Sequence, residues 1–200
     1  MSQKNYLSSF LILGLLLFIN HYSFAQSKVL SKGEKAPMFT SKASLAGNEF
    51  EFSLKKALAK GPVVLYFYPA AYTGGCDLEA HTFAEMKDQF TAAGATIIGV
   101  SADDIQRLKS FSANPDYCAG KFPVASDAEG KIAASYGLDV TPPQSGVKDV
   151  TGTQVTHGFI PRTTFVIDKK DQIVAVFSSK TDHISPDEHV KKSLAIVTKL

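Results

Sequence analysis

Only two cysteines, Cys76 and Cys118, occur in 200 residues, and no Cys-x-x-Cys pair exists. That counts against a thioredoxin-type dithiol site. Cysteines so far apart, with five histidines lacking ligand-like spacing, also argue against zinc. His21 belongs to the extreme N-terminus, and His157, His183 and His189 form no set. No metal, haem or nucleotide cofactor is expected. Charge of either sign is scarce in excess: 21 basic against 19 acidic residues leave a formal +2. The charges are interspersed, and no basic stripe marks a nucleic-acid partner. Tryptophan is absent, which carries little information. Internal repeats and low-complexity tracts are missing too. What remains is 44% hydrophobic and 20% charged, the composition of one ordinary globular domain.

Residues 1–25 read as an export leader rather than part of that domain. Lys4 supplies a positive start, residues 10–19 an apolar stretch, and Ser23-Phe24-Ala25 small residues for cleavage. Cleavage is expected before Gln26, leaving residues 26–200 as the domain. The rival is an uncleaved anchor, since residues 7–25 just reach across a bilayer. His21, Tyr22 and Ser23 weaken that rival, and no cysteine follows the apolar stretch as a lipoprotein would require. The expected location is periplasmic or secreted, with no stable membrane association once the leader is removed. In that oxidising setting an even cysteine pair first suggests a structural disulfide. A domain of this size seldom needs such a staple.

The placement of Cys76 suggests chemistry instead. The run Val63-Val64-Leu65-Tyr66-Phe67-Tyr68 reads as a buried strand, Pro69 ends it, and Thr73-Gly74-Gly75 makes a tight turn. A helical pattern begins at Cys76 and runs to about residue 92, with Leu78, Phe83, Met86 and Phe90 as its apolar side. The sulfur therefore sits at a helix N-terminus, where free N–H groups and the dipole favour an anion. A thiolate is the form a nucleophilic cysteine needs.

Around this unit, strands alternate with helices. A hairpin is expected from residues 37–42 and 49–53 through Gly47-Asn48, and a short helix over 54–59. Further strands fall at 96–100 and 122–125. A helix capped by Asp103 or Asp104 carries Ile105, Leu108 and Phe111 inward. Another helix over 131–136 stops at Gly137. A late strand pair, 163–167 and 173–178, precedes a final helix from about residue 186. The pattern indicates an α/β domain with a central mixed sheet flanked by helices.

Two segments then carry a family resemblance. Pro69, Thr73 and Cys76 form a Pro-x-x-x-Thr-x-x-Cys pattern after the aromatic strand, and Pro161-Arg162-Thr163-Thr164-Phe165-Val166-Ile167-Asp168 follows in the right order. With Gly33-Glu34-Lys35-Ala36-Pro37-Met38-Phe39 and Phe122-Pro123-Val124-Ala125-Ser126-Asp127, they cover residues 32–200. The chain resembles the peroxiredoxins, thiol peroxidases of the AhpC/TSA type, and looks most like their bacterioferritin-comigratory or peroxiredoxin Q branch. The resemblance implies a thioredoxin-like fold and reduction of hydrogen peroxide or organic hydroperoxides at Cys76. By the same resemblance Thr73 stands beside the sulfur, Pro69 covers it, and Arg162 stabilises the thiolate and holds the peroxide. Glu79, one turn on, is expected to orient Arg162. Each also has a plain structural reading: a strand stop, a turn residue, a surface arginine and a solvated helix position. Asp77 and Glu79 tend to raise the thiol pKa, while Arg162 and the helix amides tend to lower it; a depressed Cys76 pKa is expected.

The resemblance breaks at resolution of the sulfenic acid. Many peroxiredoxin Q relatives carry a second cysteine five residues after the first, where this chain has His81. Only Cys118 is available, and the resemblance implies a Cys76–Cys118 disulfide recycled by a thioredoxin-like reductant. A one-cysteine mechanism, with Cys118 as a buried apolar filler, stays open. So does a peroxide sensor or another thioredoxin-like redox protein with a structural disulfide. Monomer and homodimer are equally compatible with the sequence.

Overall fold

The computed structural model describes residues 28–200; the expected leader and its cleavage point lie outside the described residues. In chain order the elements are β1 (Thr40–Leu45), β2 (Asn48–Ser53), α1 (Leu54–Leu58), β3 (Val63–Phe67) and α2 (Gly74–Ala92). There follow β4 (Thr96–Ser101), α3 (Ile105–Ala113), β5 (Val124–Ser126) and α4 (Lys131–Ser135). β6 (Thr163–Ile167), β7 (Ile173–Ser178), α5 (Ser179–Asp182) and α6 (Pro186–Val197) complete the set. The seven strands form one mixed sheet in the order β2-β1-β5-β4-β3-β6-β7. β3 pairs β4 in parallel through the α2 crossover, and pairs β6 antiparallel on its other edge.

Strand β3 lies inside the sheet and is hydrophobic along its length because both of its faces are covered. Successive side chains point to opposite faces. Val63, Leu65 and Phe67 enter one core with Leu54, Ile98, Tyr136 and Phe165. Val64 and Tyr66 enter the other, with Phe83, Phe90, Ile97 and Val190 beneath α2 and α6. Each fully buried side chain of this kind is worth about 1.5–3 kcal/mol relative to exposure. Cys76 and Cys118 both lie in the second core.

Three local expectations need correction. The first strand is displaced by three residues, starting at Thr40, and the turn is Ala46-Gly47 rather than Gly47-Asn48. Both turn residues take positive φ, 50° and 80°, matching the strand twist of a two-residue hairpin. Leu78 does not face inward; it is 47% exposed. The buried stripe of α2 runs through Cys76, Glu79, Ala80, Phe83 and Phe90, so a buried carboxylate occupies the position expected of an apolar residue. The single-turn α5 had no counterpart in the sequence reading, since four residues carry no period to read.

One close approach fixes a residue choice. Tyr66 pairs with Gly99 across β3 and β4, and its ring lies over that glycine. A Cβ on Gly99 would stand 2.6 Å from the ring carbon Cζ of Tyr66. Tyr66 cannot step aside, because it stacks on Phe83 at 4.6 Å and on Tyr68 at 5.4 Å. Gly99→Ala is expected to destabilise the fold by about 1–3 kcal/mol through overpacking. Urea unfolding measures this, and an unchanged midpoint would contradict the packing described.

Candidate active site

Three elements deliver the site residues. β3 ends at Phe67, and its loop carries Pro69 and Thr73 to the start of α2. Thr73 is extended (φ −125°, ψ 135°) and caps α2, its carbonyl accepting from the amides of Cys76 (2.8 Å) and Asp77 (2.9 Å). The Thr73 hydroxyl donates to the Ala70 carbonyl at 2.7 Å, which braces the turn. Pro69 is half-buried just beyond the strand. Arg162 arrives from the far side: Phe67 and Thr163 are register partners, so the residue preceding β6 emerges beside the β3 loop. A sequence separation of 86 residues is closed by one strand pairing.

The central contact is a hydrogen bond from Arg162 Nη2 to Cys76 Sγ at 3.1 Å. The same guanidinium, through Nη1, holds Glu79 Oε2 in a buried ion pair. The Glu79 side chain is fully buried and that of Arg162 only 10% exposed. Gly75 makes room for this arrangement. A Cβ there would meet Arg162 Nη2 at 3.2 Å and Pro186 Cγ, at the start of α6, at 3.5 Å. The geometry thus brings Thr73, Cys76, Glu79 and Arg162 together around one sulfur. The glycine's part was not evident in the sequence, where Gly75 read only as a turn residue.

Burial governs the titration. It pushes the Cys76 thiol up, and the Arg162 charge, the Ala70 backbone and Thr73 pull against it without overcoming it. The expectation of a depressed Cys76 pKa is therefore not met in this closed structure: the desolvation of a sulfur with 1% exposure outweighs one nearby cation. Burial raises Glu79 to about 7 even with Arg162 beside it. Of the two acids expected to raise Cys76, Glu79 does so, and Asp77 raises Cys118. Cys118 is lifted well above an ordinary thiol, first by burial and then by the Asp77 charge. Asp77 itself is raised to about 6 by burial, and its Oδ1 is buried without a partner.

Cys118 follows α3 in the loop after Pro115 and is fully buried, and both cysteines are free thiols. His81 reaches across to this loop, its Nδ1 3.1 Å from the Asp116 carbonyl. A second group was missed by sequence reasoning. Asp103, Arg107, Asp149 and His157 form a connected ionic cluster against the loop at Ala71. The only available signal was the i,i+4 spacing of Asp103 and Arg107; Asp104, not Asp103, caps α3, accepting from the Arg107 amide. Among the described residues no three His, Cys, Asp or Glu side chains converge as a metal site would.

Known proteins with this architecture are thioredoxin-fold thiol peroxidases. The AhpC/TSA family model matches residues 32–176, and the chain belongs to that family. The chloroplastic peroxiredoxin Q of Triticum aestivum is 32% identical over 172 residues, spanning 86% of this chain and 68% of that protein. Among solved structures, peroxidoxin BcpB of Mycobacterium tuberculosis aligns with a TM-score of 0.68 at 30% identity, over 86% of this chain and 98% of that one. The bacterioferritin comigratory protein of Xanthomonas campestris, described for its alkyl peroxide reduction activity, aligns at 0.60 and 28% identity, over 79% and 90%. This chain is a peroxiredoxin, on the peroxiredoxin Q side of the family, and a peroxidase by class.

The Arg162 contact carries a testable consequence. Arg162 favours the thiolate, so Arg162→Gln raises the Cys76 pKa further and lowers the thiolate fraction at neutral pH. The alkylation rate of Cys76 in a Cys118→Ser background is expected to rise with pH later in the variant than in the parent. Peroxide reduction is expected to fall by about a hundredfold, the scale of losing one aimed donor. Superimposable pH profiles would contradict the role of this hydrogen bond.

Proposed function

We propose that Cys76 is the peroxide-reducing cysteine and that Cys118 resolves its oxidised form. The observation that carries the first half is the 3.1 Å contact of Arg162 with the Cys76 sulfur, backed by the buried Glu79 ion pair. The Cys76 thiolate attacks one oxygen of the peroxide; an S–O bond forms as the O–O bond breaks. The departing oxygen takes a proton and leaves as water or an alcohol. Arg162 cannot titrate away, so its charge serves both the thiolate and the oxygens of the peroxide. Thr73 orients the incoming peroxide, Pro69 limits water access, and the amides at the start of α2 stabilise charge as the bond breaks. Glu79 positions Arg162 without touching the reacting atoms.

In the second step the Cys118 thiolate attacks the sulfenic sulfur, an S–S bond forms, and the hydroxyl leaves as water. Placement of both cysteines in one apolar core supports this pairing. A thioredoxin-like dithiol protein then reduces the disulfide by exchange. The substrates are hydrogen peroxide and organic hydroperoxides, in a periplasmic or secreted setting supported by the leader sequence of residues 1–25.

Intact mass after one equivalent of peroxide tests the scheme. The wild-type protein is expected to lose two hydrogens, and Cys118→Ser to gain one oxygen. A wild-type protein that keeps the added oxygen would overturn the resolving role of Cys118. A Cys76→Ser protein that still gains oxygen at Cys118 would overturn the order of the two cysteines.

A further inference from the structure

The loop that positions Cys76 is fastened at four points, all by residues outside the peroxide site. Asp103 Oδ2 accepts from the Ala71 amide at 2.8 Å, and Arg107 Nη2 donates to the Ala71 carbonyl at 2.9 Å. The Val150 amide donates to the Tyr72 carbonyl at 2.9 Å. The Tyr72 ring lies beneath the Arg107 guanidinium, 4.8 Å from its centre, and edge-on to Phe111 and Tyr117. Tyr72 takes φ +59°, a conformation a bulky residue holds only when its surroundings impose it.

All but one of these fasteners lie on α3 or at its ends; Val150 comes from the loop before β6. Asp103 stands just before the cap of α3, Arg107 and Phe111 follow at four-residue intervals within the helix, and Tyr117 directly precedes Cys118. Arg107 is in turn held by Asp103 Oδ1 at 2.9 Å and by Asp149 Oδ2 at 2.5 Å. Both carboxylate side chains are fully buried, and His157 closes the cluster on Asp103 at 3.0 Å. Apart from the loop of Asp149 and Val150, the segment that holds the Cys76 loop still is the segment that carries Cys118. A Cys76–Cys118 bond requires α-carbons within about 7 Å and access for sulfurs that are now sealed in the core.

We propose that Arg107, with Asp103 and Asp149, is a positioning residue of the reaction, fixing the Cys76 loop for peroxide reduction and limiting how fast Cys118 is released to resolve it. This inference rests on Cys118 as the resolving cysteine. The two steps place opposite demands on the clamp. Peroxide attack needs Thr73 and Cys76 held in place, whereas disulfide formation needs a state in which the Arg107 contacts are broken. The population of that open state depends on the free energy of those contacts. Losing one charge-assisted hydrogen bond therefore moves the two rates in opposite directions.

Asp149→Asn, which keeps shape and removes charge, is the first variant, and Arg107→Lys is the second. Peroxide consumption is followed in single turnover in a Cys118→Ser background, and disulfide formation by quenched-flow intact mass with both cysteines present. Asp149→Asn is expected to slow the first step and to speed the second by about tenfold, the scale of one charged hydrogen bond. Arg107→Lys, which keeps the cation but not the planar fork, is expected to fall between the variant and the wild type. Equal slowing of both steps, or no change in either, would overturn the clamp while leaving the resolving cysteine intact. Absence of any disulfide in the wild-type protein would overturn the resolving cysteine and the clamp together.

Discussion

Everything at this site depends on one guanidinium shared between a thiol and a carboxylate. Arg162 meets Cys76 and Glu79 only because β6 runs antiparallel to β3 with Thr163 opposite Phe67. A one-residue slip would send Arg162 to the other face of the sheet. The buried strand register, the glycine at position 75 and the start of α6 at Pro186 are therefore conditions of the chemistry as much as of the fold. The shared guanidinium also explains why Glu79 occupies the core-facing stripe of α2. A buried arginine without a carboxylate would be an unpaired charge, and the pair makes its burial tolerable.

Burial and charge oppose one another at the sulfur. Sealing Cys76 in the second core raises its pKa, while Arg162 pulls the proton equilibrium back toward thiolate. Among the described residues no cation acts on Cys118 in this way; burial and the Asp77 charge both favour its thiol form. The two cysteines thus differ in kind before any peroxide arrives. One is poised beside a positive charge, and the other is a buried thiol next to a negative one.

Much of this was legible in the sequence. The run from Val63 to Tyr68 announced a buried strand, which the fold ends one residue earlier at Phe67, and the Gly-Gly turn announced a helix start at the cysteine. Helix α2 in fact begins two residues earlier, at Gly74, because Thr73 rather than Gly75 takes the extended capping conformation. What the sequence hid were pairings between distant segments. Periodicity describes one element at a time and is silent on which loop an arginine or aspartate will meet. Asp103 looked like a helix cap, and Arg107 carried no signal of its own. Only the folded chain brings them to Ala71, with Asp149 and His157 arriving from a loop without regular structure. The titration of Cys76 was misjudged for a related reason: local sequence shows neighbouring charges but not the depth at which they are buried.

The central claim is that Cys76, held by Arg162, turns over peroxide. Stopped-flow consumption of hydrogen peroxide by reduced protein, with dithiothreitol in excess, tests it most directly. Repeated turnover that vanishes in Cys76→Ser is the result the account predicts. Turnover that survives in Cys76→Ser, or a folded and reduced wild-type protein that consumes none, would contradict it.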